Sequence, residues 1–432
     1  MRLAEYGGPT ERYKMQAGKA PHAEARIATS VWRNRDFRLI WGGQTASDFG
    51  TGLTMLAYPL LMLALTHSPT QAGALSAVCT LPYLLLGLPA GALADRWNRK
   101  RVMIICDLCR AVTVFSIPLT LWLGHVTPVQ LYVTGFLGGV FFVFFSAADA
   151  GALPNVVEKD QLTSAVAAQQ ATSSATAVVA PPLGGSLFQI FRGLPFLIDA
   201  ISYLASAIVL SAARLEFQQP REQTQTKLRS DIVVGVRWLW THPAIRTVAI
   251  AAAGLQLAMA GAELVVIIAA QREDASPAVI GAMLSAVGIG GVAGSILASR
   301  LKARFEFGHI LLSVMWCQAA LWVLIGLFAH VVLLIAPLLV VFVATAQIFG
   351  IAALSYQLSA TPDHLQSRVG TAFKLIAWSS FPLGAGIAGV LLGRFGPAVT
   401  SLVFGVWVFA IALFATVCGG LRELADPSDH SS

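Results

Sequence analysis

One pattern recurs twelve times along this chain: a run of about twenty or more largely apolar residues, closed by a short polar connection. A helix needs about 20 such residues to cross the hydrocarbon core of a bilayer. Backbone that is neither helical nor in a closed barrel cannot cross it, because its N–H and C=O groups find no partner in lipid. The runs lie at 38–65, 70–93, 102–124, 129–150, 162–190, 195–213, 244–270, 277–300, 308–329, 331–356, 368–392 and 397–419. They predict an all-α integral membrane protein with twelve transmembrane helices. Composition rules out the soluble alternative. Charged residues make up 12% of the chain and hydrophobic ones 56%, where soluble domains carry about 25% charged residues. The five cysteines (Cys79, Cys106, Cys109, Cys317, Cys418) all fall inside apolar runs. The Cys106-x-x-Cys109 pair sits within a predicted span, with no βαβ pattern around it, and reads as helix packing rather than a redox or metal motif.

The connections alternate in character. Those at Thr66–Thr70, Gly124–Pro128 and around His330 hold no lysine or arginine. If the amino terminus is cytoplasmic, 25 of the 29 basic residues lie on that side, and only Arg192, Arg272 and Arg394 lie outside. A bias of this size predicts both termini in the cytoplasm of a bacterial inner membrane. It also accounts for the net charge of +7 without a nucleic-acid partner. Residues 1–36 lack the apolar core of a signal peptide and read as a cytoplasmic tail, as do 421–432. The polar stretch 214–243 divides the chain into two six-helix bundles, 37–213 and 244–420. Its second part, 228–240, alternates apolar and charged residues at helical spacing, as an amphipathic helix at the membrane face does. The bundles echo each other: Pro182-Leu-Gly-Gly185 recurs as Pro382-Leu-Gly-Ala385. Pseudo-symmetric halves with a solute path between them are the expected architecture.

Ionisable groups inside the membrane are costly, and each needs a reason. Asp48 lies about eleven residues into the first span, ~16 Å along its axis and close to the midplane. Gln44, Asp48, Thr51, Met55 and Tyr58 form a mostly polar stripe along that helix. Two readings of Asp48 stand: a carboxylate that carries a proton or binds a cation, and a pairing partner that holds two helices together. Glu263 is its counterpart in the second bundle, on a face with Gln256 and Met259 and nearer the outer side. Asp107 and Arg110, three apart, are placed to pair along one helix. Asp199 reads as a helix-start residue at the outer face. No histidine falls at a midplane. The run Phe141–Phe145 either pads a pocket for a greasy solute or packs against lipid and neighbouring helices. No metal-ligand cluster, nucleophile elbow or phosphate-binding glycine loop occurs, so no enzyme activity and no cofactor is expected.

Between spans two and three stands Gly91-Ala-Leu-Ala-Asp95-Arg96-Trp-Asn-Arg99-Lys100-Arg101. Its G-x-L-a-D-r-x-x-r-k-r pattern resembles the loop between the second and third helices of the major facilitator superfamily. Further matches are Asn34–Arg38, Ser47-Asp-Phe-Gly50, Leu81-Pro82, Asp107-Leu-Cys-Arg110, Leu153-Pro154, Asp199-Ala-Ile-Ser-Tyr203 and Gly235–Pro243. Together they are similar to the twelve-helix drug:proton antiporter group that includes macrolide-efflux and enterobactin-exporter proteins. The likeness covers about residues 31–420 and is stronger in the first half. It implies proton-driven export of an amphipathic small molecule (a drug, antibiotic, siderophore or natural product) by a monomer embedded in lipid. In such a protein Gly91 would allow close helix approach. Asp95, with Arg96, Arg99 and Asp149, would latch the cytoplasmic side shut. Ala180-Pro181-Pro182-Leu-Gly184-Gly185 resembles the G-P-x-x-G-G element of antiporter members, with Ala180 for the first glycine, and implies a seal against leakage. Many members carry an acid directly after the Gly50 equivalent, where this chain has Thr51. Import or flipping of a lipid-like solute by the same fold, and ligand sensing without transport, are the rival functions.

Overall fold

The computed structural model describes residues 31–94, 96–158, 161–213 and 228–417. Asp95, residues 159–160, the first part of the linker, 214–227, and residues 1–30 and 418–432, which hold most of the first predicted tail and all of the second, lie outside the described residues. Twelve helices follow in order: α1 (Arg35–Thr66), α2 (Pro69–Ala94), α3 (Arg99–Trp122), α4 (Pro128–Val156), α5 (Leu162–Ile190), α6 (Leu194–Ala212), α7 (Leu228–Thr241), α8 (Pro243–Arg272), α9 (Pro277–Lys302), α10 (Phe307–Leu327), α11 (Val332–Ala360) and α12 (Gln366–Val417). The last is two spans. Gly396 breaks it with φ 77°, a left-handed conformation that glycine adopts without Cβ strain. Pro397 follows, so the turn between predicted spans eleven and twelve is a single-residue kink.

Ten of these helices are long and apolar enough to cross a membrane. With α12 crossing twice and α5 crossing as well, the fold has twelve membrane passages. At 29 residues α5 is long enough, but it is not among the ten. Its first half, Leu162–Thr176, carries Thr163, Ser164, Gln169, Gln170, Thr172, Ser173, Ser174 and Thr176. Such a helix is stable in a membrane only where protein or water takes its polar face.

Helix ends are set locally. Asn34 caps α1 by accepting from the backbone N–H groups of Asp36 and Phe37. Asn98 caps α3 from the Arg101 N–H, and Ser276 caps α9 from the Val279 N–H. These contacts satisfy donors that a helix start leaves open. Lys100 Nζ donates to the Ala213 carbonyl at 2.6 Å and the Ser211 carbonyl at 3.1 Å. A cation thus sits on the negative end of α6 and ties the α2–α3 loop to the start of the linker.

In the first half α1 packs on α5 and α6, α3 on α4 and α6, and α2 on α4. In the second half α12 packs on α8 and α10, and α11 on α9 and α10. The short helix α7 lies along α12 and α8. Gly235 makes that possible, since a methyl there would strike the Arg368 carbonyl. The halves meet along two seams, α5 against α9 and α2 against α12.

Candidate functional site

The face holding the start of α1 and the end of α12 is termed here the terminal face. Both seams are tight at the other, opposite face. On α2, a methyl at Gly73 would fall 2.6 Å from the Ala385 carbonyl oxygen, and Thr70 donates to the Gly389 carbonyl at 3.2 Å. On α5, a methyl at Gly185 would land on the Pro277 carbonyl, and one at Gly281 on the Pro181 carbonyl. Ser285 Oγ donates across the same seam to the Val178 carbonyl at 2.8 Å. Gly184 faces the other way, 2.7 Å from the Leu53 carbonyl for an added methyl, and Ala180 meets Gly52. The Ala180–Gly185 segment therefore sits at a three-helix junction of α1, α5 and α9. Toward the terminal face the situation reverses. Added methyls at Gly87 and Gly91 would meet nothing within 4 Å. In this conformation nothing lies against Gly91 in the direction a side chain would take, although Ala90 and Ala94 beside it are buried.

Between the helices of the first half, toward the terminal face, lies a cavity of about 280 Å³. Its walls come from α1 (Trp41, Gln44, Asp48), α3 (Arg110), α4 (Phe142, Phe145, Asp149) and α5 (Gln169, Gln170, Thr172, Ser173). The polar half of α5 faces this space, which answers why that helix can be so polar. Two of the four phenylalanines of the Phe141–Phe145 run line it, while Phe144 stacks on Trp97.

The predicted stripe on α1 divides. Asp48 is exposed to the cavity and makes no hydrogen bond or ion pair among the described residues. Gln44 donates to the Asp149 carboxylate and accepts from Gln169 Nε2 at 3.0 Å. Thr51 and Tyr58 point elsewhere. Tyr58 packs edge-on against Phe196, ring centroids 5.0 Å apart. Thr51 belongs to a second, deeper group.

That group is centred on Arg110, which is 4% exposed. Its guanidinium donates to the Tyr203 hydroxyl and, at 3.2 Å, to Thr51 Oγ1. Thr51 and Tyr203 are themselves 2.8 Å apart. The guanidinium carbon stands 4.0 Å from the Tyr203 ring centroid and 5.4 Å from that of Phe142, so cation–π attraction adds to the hydrogen bonds. Arg110 Nη1 lies 3.8 Å from Asp107 Oδ1, a pair placed as the i, i+3 spacing on α3 predicts. Both Asp107 oxygens are buried without a hydrogen-bond partner, as is neighbouring Ser206 Oγ. Thr51, directly after Gly50, thus stands against Arg110.

Asp199 corrects the helix-start reading. It lies in the second turn of α6, 1% exposed, and accepts from Thr54 Oγ1 at 2.8 Å. Gly50 lets α1 lie against it, since a methyl there would come 2.6 Å from Asp199 Oδ1. Asp199 and Tyr203 are functional candidates that periodicity alone missed. The signal available was their spacing of four, one helical turn, opposite Thr51 and Thr54, also nearly one turn apart.

The predicted latch centres on Asp95, which lies outside the described residues. Asp149 accepts from Gln44 inside the cavity. It is Arg99 that reaches α4, donating to the Gly151 carbonyl, and Arg96 is exposed. In the second half Glu263, on α8, is half-buried and without a hydrogen bond or ion pair among the described residues. Gln256 likewise makes no hydrogen bond there. The cysteines at 79, 106, 109 and 317 are free thiols.

A family profile described as transmembrane secretion effector matches residues 28–430. The chain belongs to this family of the major facilitator superfamily. Its members are transporters, not enzymes, and it is accordingly a multi-pass membrane protein. The multidrug efflux pump Tap of Mycolicibacterium fortuitum is 28% identical over 393 residues, covering 87% of this chain and 93% of that protein. The enterobactin exporter EntS of Salmonella typhi is 26% identical over 401 residues, covering 90% and 93%. Among solved structures, a bacterial homologue of the iron transporter ferroportin in an inward-facing state superposes with a TM-score of 0.70 at 14% identity, covering 90% of this chain and 99% of that one. The nucleoside transporter NupG does so at 0.68 and 12% identity, covering 89% and 99%. At those identities the likeness concerns the fold.

Proposed function

We propose that this protein exports an amphipathic small molecule from the bacterial cytoplasm by alternating access, and that the conformation described is its inward-open state. The observation that carries the reading is the one-sided seal. Backbone lies on backbone at the opposite face, and a methyl added at Gly87 or Gly91 toward the terminal face would meet nothing within 4 Å. The positive bias of the terminal-face connections supports their cytoplasmic location. Efflux rather than uptake is supported by the relatives named as an efflux pump and an exporter.

The energy source is the proton gradient, with no cofactor, and the working unit is a monomer in lipid. Asp48 is the proton-coupling group because it alone joins three properties. It is a carboxylate, it lies near mid-membrane on α1, and it opens to the cavity. A proton taken up from outside leaves Asp48 toward the cytoplasm when the terminal face opens. Solute then enters beside the freed carboxylate. The Arg110 group keeps α1, α3 and α6 moving as one body, so that the half rocks rather than deforms.

Reconstitution in proteoliposomes tests this. Asp48→Asn is expected to abolish solute-driven proton movement while leaving the protein folded. Full coupling in that variant would remove Asp48 from the mechanism, and accumulation in the reverse direction would overturn export. Labelling with a membrane-impermeant thiol reagent at an introduced Arg96→Cys places the terminal face. Reaction from outside intact cells would invert the topology.

A further inference from the structure

Basic residues are scarce away from the terminal face, and those that occur gather in one place. By sequence topology only Arg192, Arg272 and Arg394, of 29 lysines and arginines, belong to connections at the opposite face. They run against the rule that keeps bases on the cytoplasmic side, so orientation does not account for them. Arg192, on the turn between α5 and α6, and Arg272, at the end of α8, line a single cavity of about 920 Å³. It is the mouth between the closed halves at that face, walled by the ends of α1, α3, α5 and α8. Arg272 lies against Gly396, where an added methyl would fall 2.5 Å from Nη1, and Arg394 stands two residues before that glycine.

Neither lining guanidinium is answered by protein. Arg192 and Arg272 are exposed and make no side-chain hydrogen bond or ion pair among the described residues. One acid, Asp274, shares the lining and pairs with neither. Beneath this rim the mouth is apolar. Leu63, Phe188 and Ile268 line it four residues before His67, Arg192 and Arg272 respectively, and all three are buried. On the rim itself Ile190 is 77% exposed. A polar rim over an apolar floor, with unpaired cations on the rim, fits an amphiphile with an anionic head. A small hydrated anion would gain nothing from the floor, and a cationic amphiphile would meet two arginines.

We infer that this mouth binds an acidic phospholipid from the leaflet at that face. Its phosphate is held between Arg192 and Arg272, and an acyl chain lies on Leu63, Phe188 and Ile268. Guanidinium suits the role because its planar fork of N–H donors matches phosphate oxygens in pairs. The two arginines belong to different halves. A bound phosphate therefore ties the halves together where they must part for the opposite face to open, and it holds the protein in the terminal-open state. Binding stands on the cavity and its charges alone, whereas the effect on state rests on the alternating-access reading above.

Native mass spectrometry of the purified full-length protein tests the site, with dioleoylphosphatidylglycerol and the zwitterionic dioleoylphosphatidylcholine as probes. The acidic lipid is expected to bind at least about tenfold more tightly, the worth of one charge-assisted contact. Arg192→Gln and Arg272→Gln should each weaken it about tenfold, and the double variant should retain one lipid fewer per protein. Arg304→Gln removes an equal charge from the terminal face and should keep that lipid. Equal binding of the two lipids, an unchanged lipid count in a double variant with an unaltered thermal melt, or the same loss in Arg304→Gln would overturn the inference. Displacement of the lipid by inorganic phosphate at matched concentration would also overturn it, by showing a site for a simple anion. Spin-label distances across the opposite face read the second step. Phosphatidylglycerol should raise the terminal-open population in the parent and not in the double variant. If the lipid binds with this dependence and the populations do not move, the tie between the halves falls and the site stands. If no solute crosses proteoliposomes of either lipid, the transport reading fails and the binding result is untouched.

Discussion

The two halves share a helix plan and differ in what fills them. In the first, the buried side chains include Asp107, Arg110 and Asp199, threaded with Thr51, Thr54, Ser202 and Tyr203. In the second, the matching depth is filled by rings. Trp322 is wholly buried between Phe342 and Phe404, with centroids 5.3 and 5.1 Å away. Among the described residues no buried charged side chain occurs there, and half-buried Glu263 lies without a polar partner. Duplication supplies the scaffold and leaves each half free to specialise. The apolar half can serve as a rigid wall. The polar half holds the groups that can change charge, and in lipid such groups are kept only where they have a task.

The largest effects should come from removing the centre of each half. Arg110→Leu leaves buried carboxylates with no counter-charge, at a cost of about 3–5 kcal/mol. Trp322→Ala opens a cavity in the dry half, and the cost is again about 3–5 kcal/mol. Thermal unfolding in detergent measures both. The comparison is sharpened by a second readout. Trp322→Ala should lower stability and leave the number of protons moved per solute unchanged, whereas Arg110→Leu should lose coupling as well. Equal loss of coupling in both would show that the chemistry is not confined to the first half. A smaller change within the polar half is Tyr203→Phe. It deletes the oxygen that accepts from Arg110 and should cost about 1–3 kcal/mol.

How much of this contrast could be read from the chain depends on distance along it. The twelve passages were legible because each is a local run, and the polar α5 was among the predicted spans. The Asp107–Arg110 pair was legible because three residues along a helix fix the geometry. The α1 stripe was not. Gln44, Asp48, Thr51 and Tyr58 follow one another at helical spacing, yet the helix is surrounded by α5, α6, α2 and α4, so neighbouring turns face different partners. Asp199 was misread for the same reason. Its position near a helix start is local, while its burial against Gly50 and Thr54 depends on a helix 145 residues away. The contact of Asp149 with Gln44 likewise joins residues 105 apart in the chain.

A milder probe of the asymmetry is Glu263→Gln. If charge movement is confined to the first half, transport by this variant should stay within about tenfold of the parent, against a complete loss of coupling for Asp48→Asn. Loss equal to that of Asp48→Asn would place a second coupling group in the half filled by rings.

The smallest expected effect compares the two ends of one helix. Gly73 and Gly91 both lie on α2, but only Gly73 touches the other half. In the conformation described, a methyl at Gly91 meets nothing, so Gly91→Ala should change the stability of this state by less than about 1 kcal/mol. If the terminal face closes by bringing α12 against α2, as the opposite face now does, the same methyl obstructs the closed state. The population then shifts further toward the terminal-open form. Gly73→Ala should do the reverse, because its methyl strikes Gly389 and Ala385 in the present seal and loosens the opposite face. Spin-label distances across the two faces would read both shifts. Opposite signs for two alanines on one helix require a rocking motion between the halves, and shifts of the same sign would exclude it.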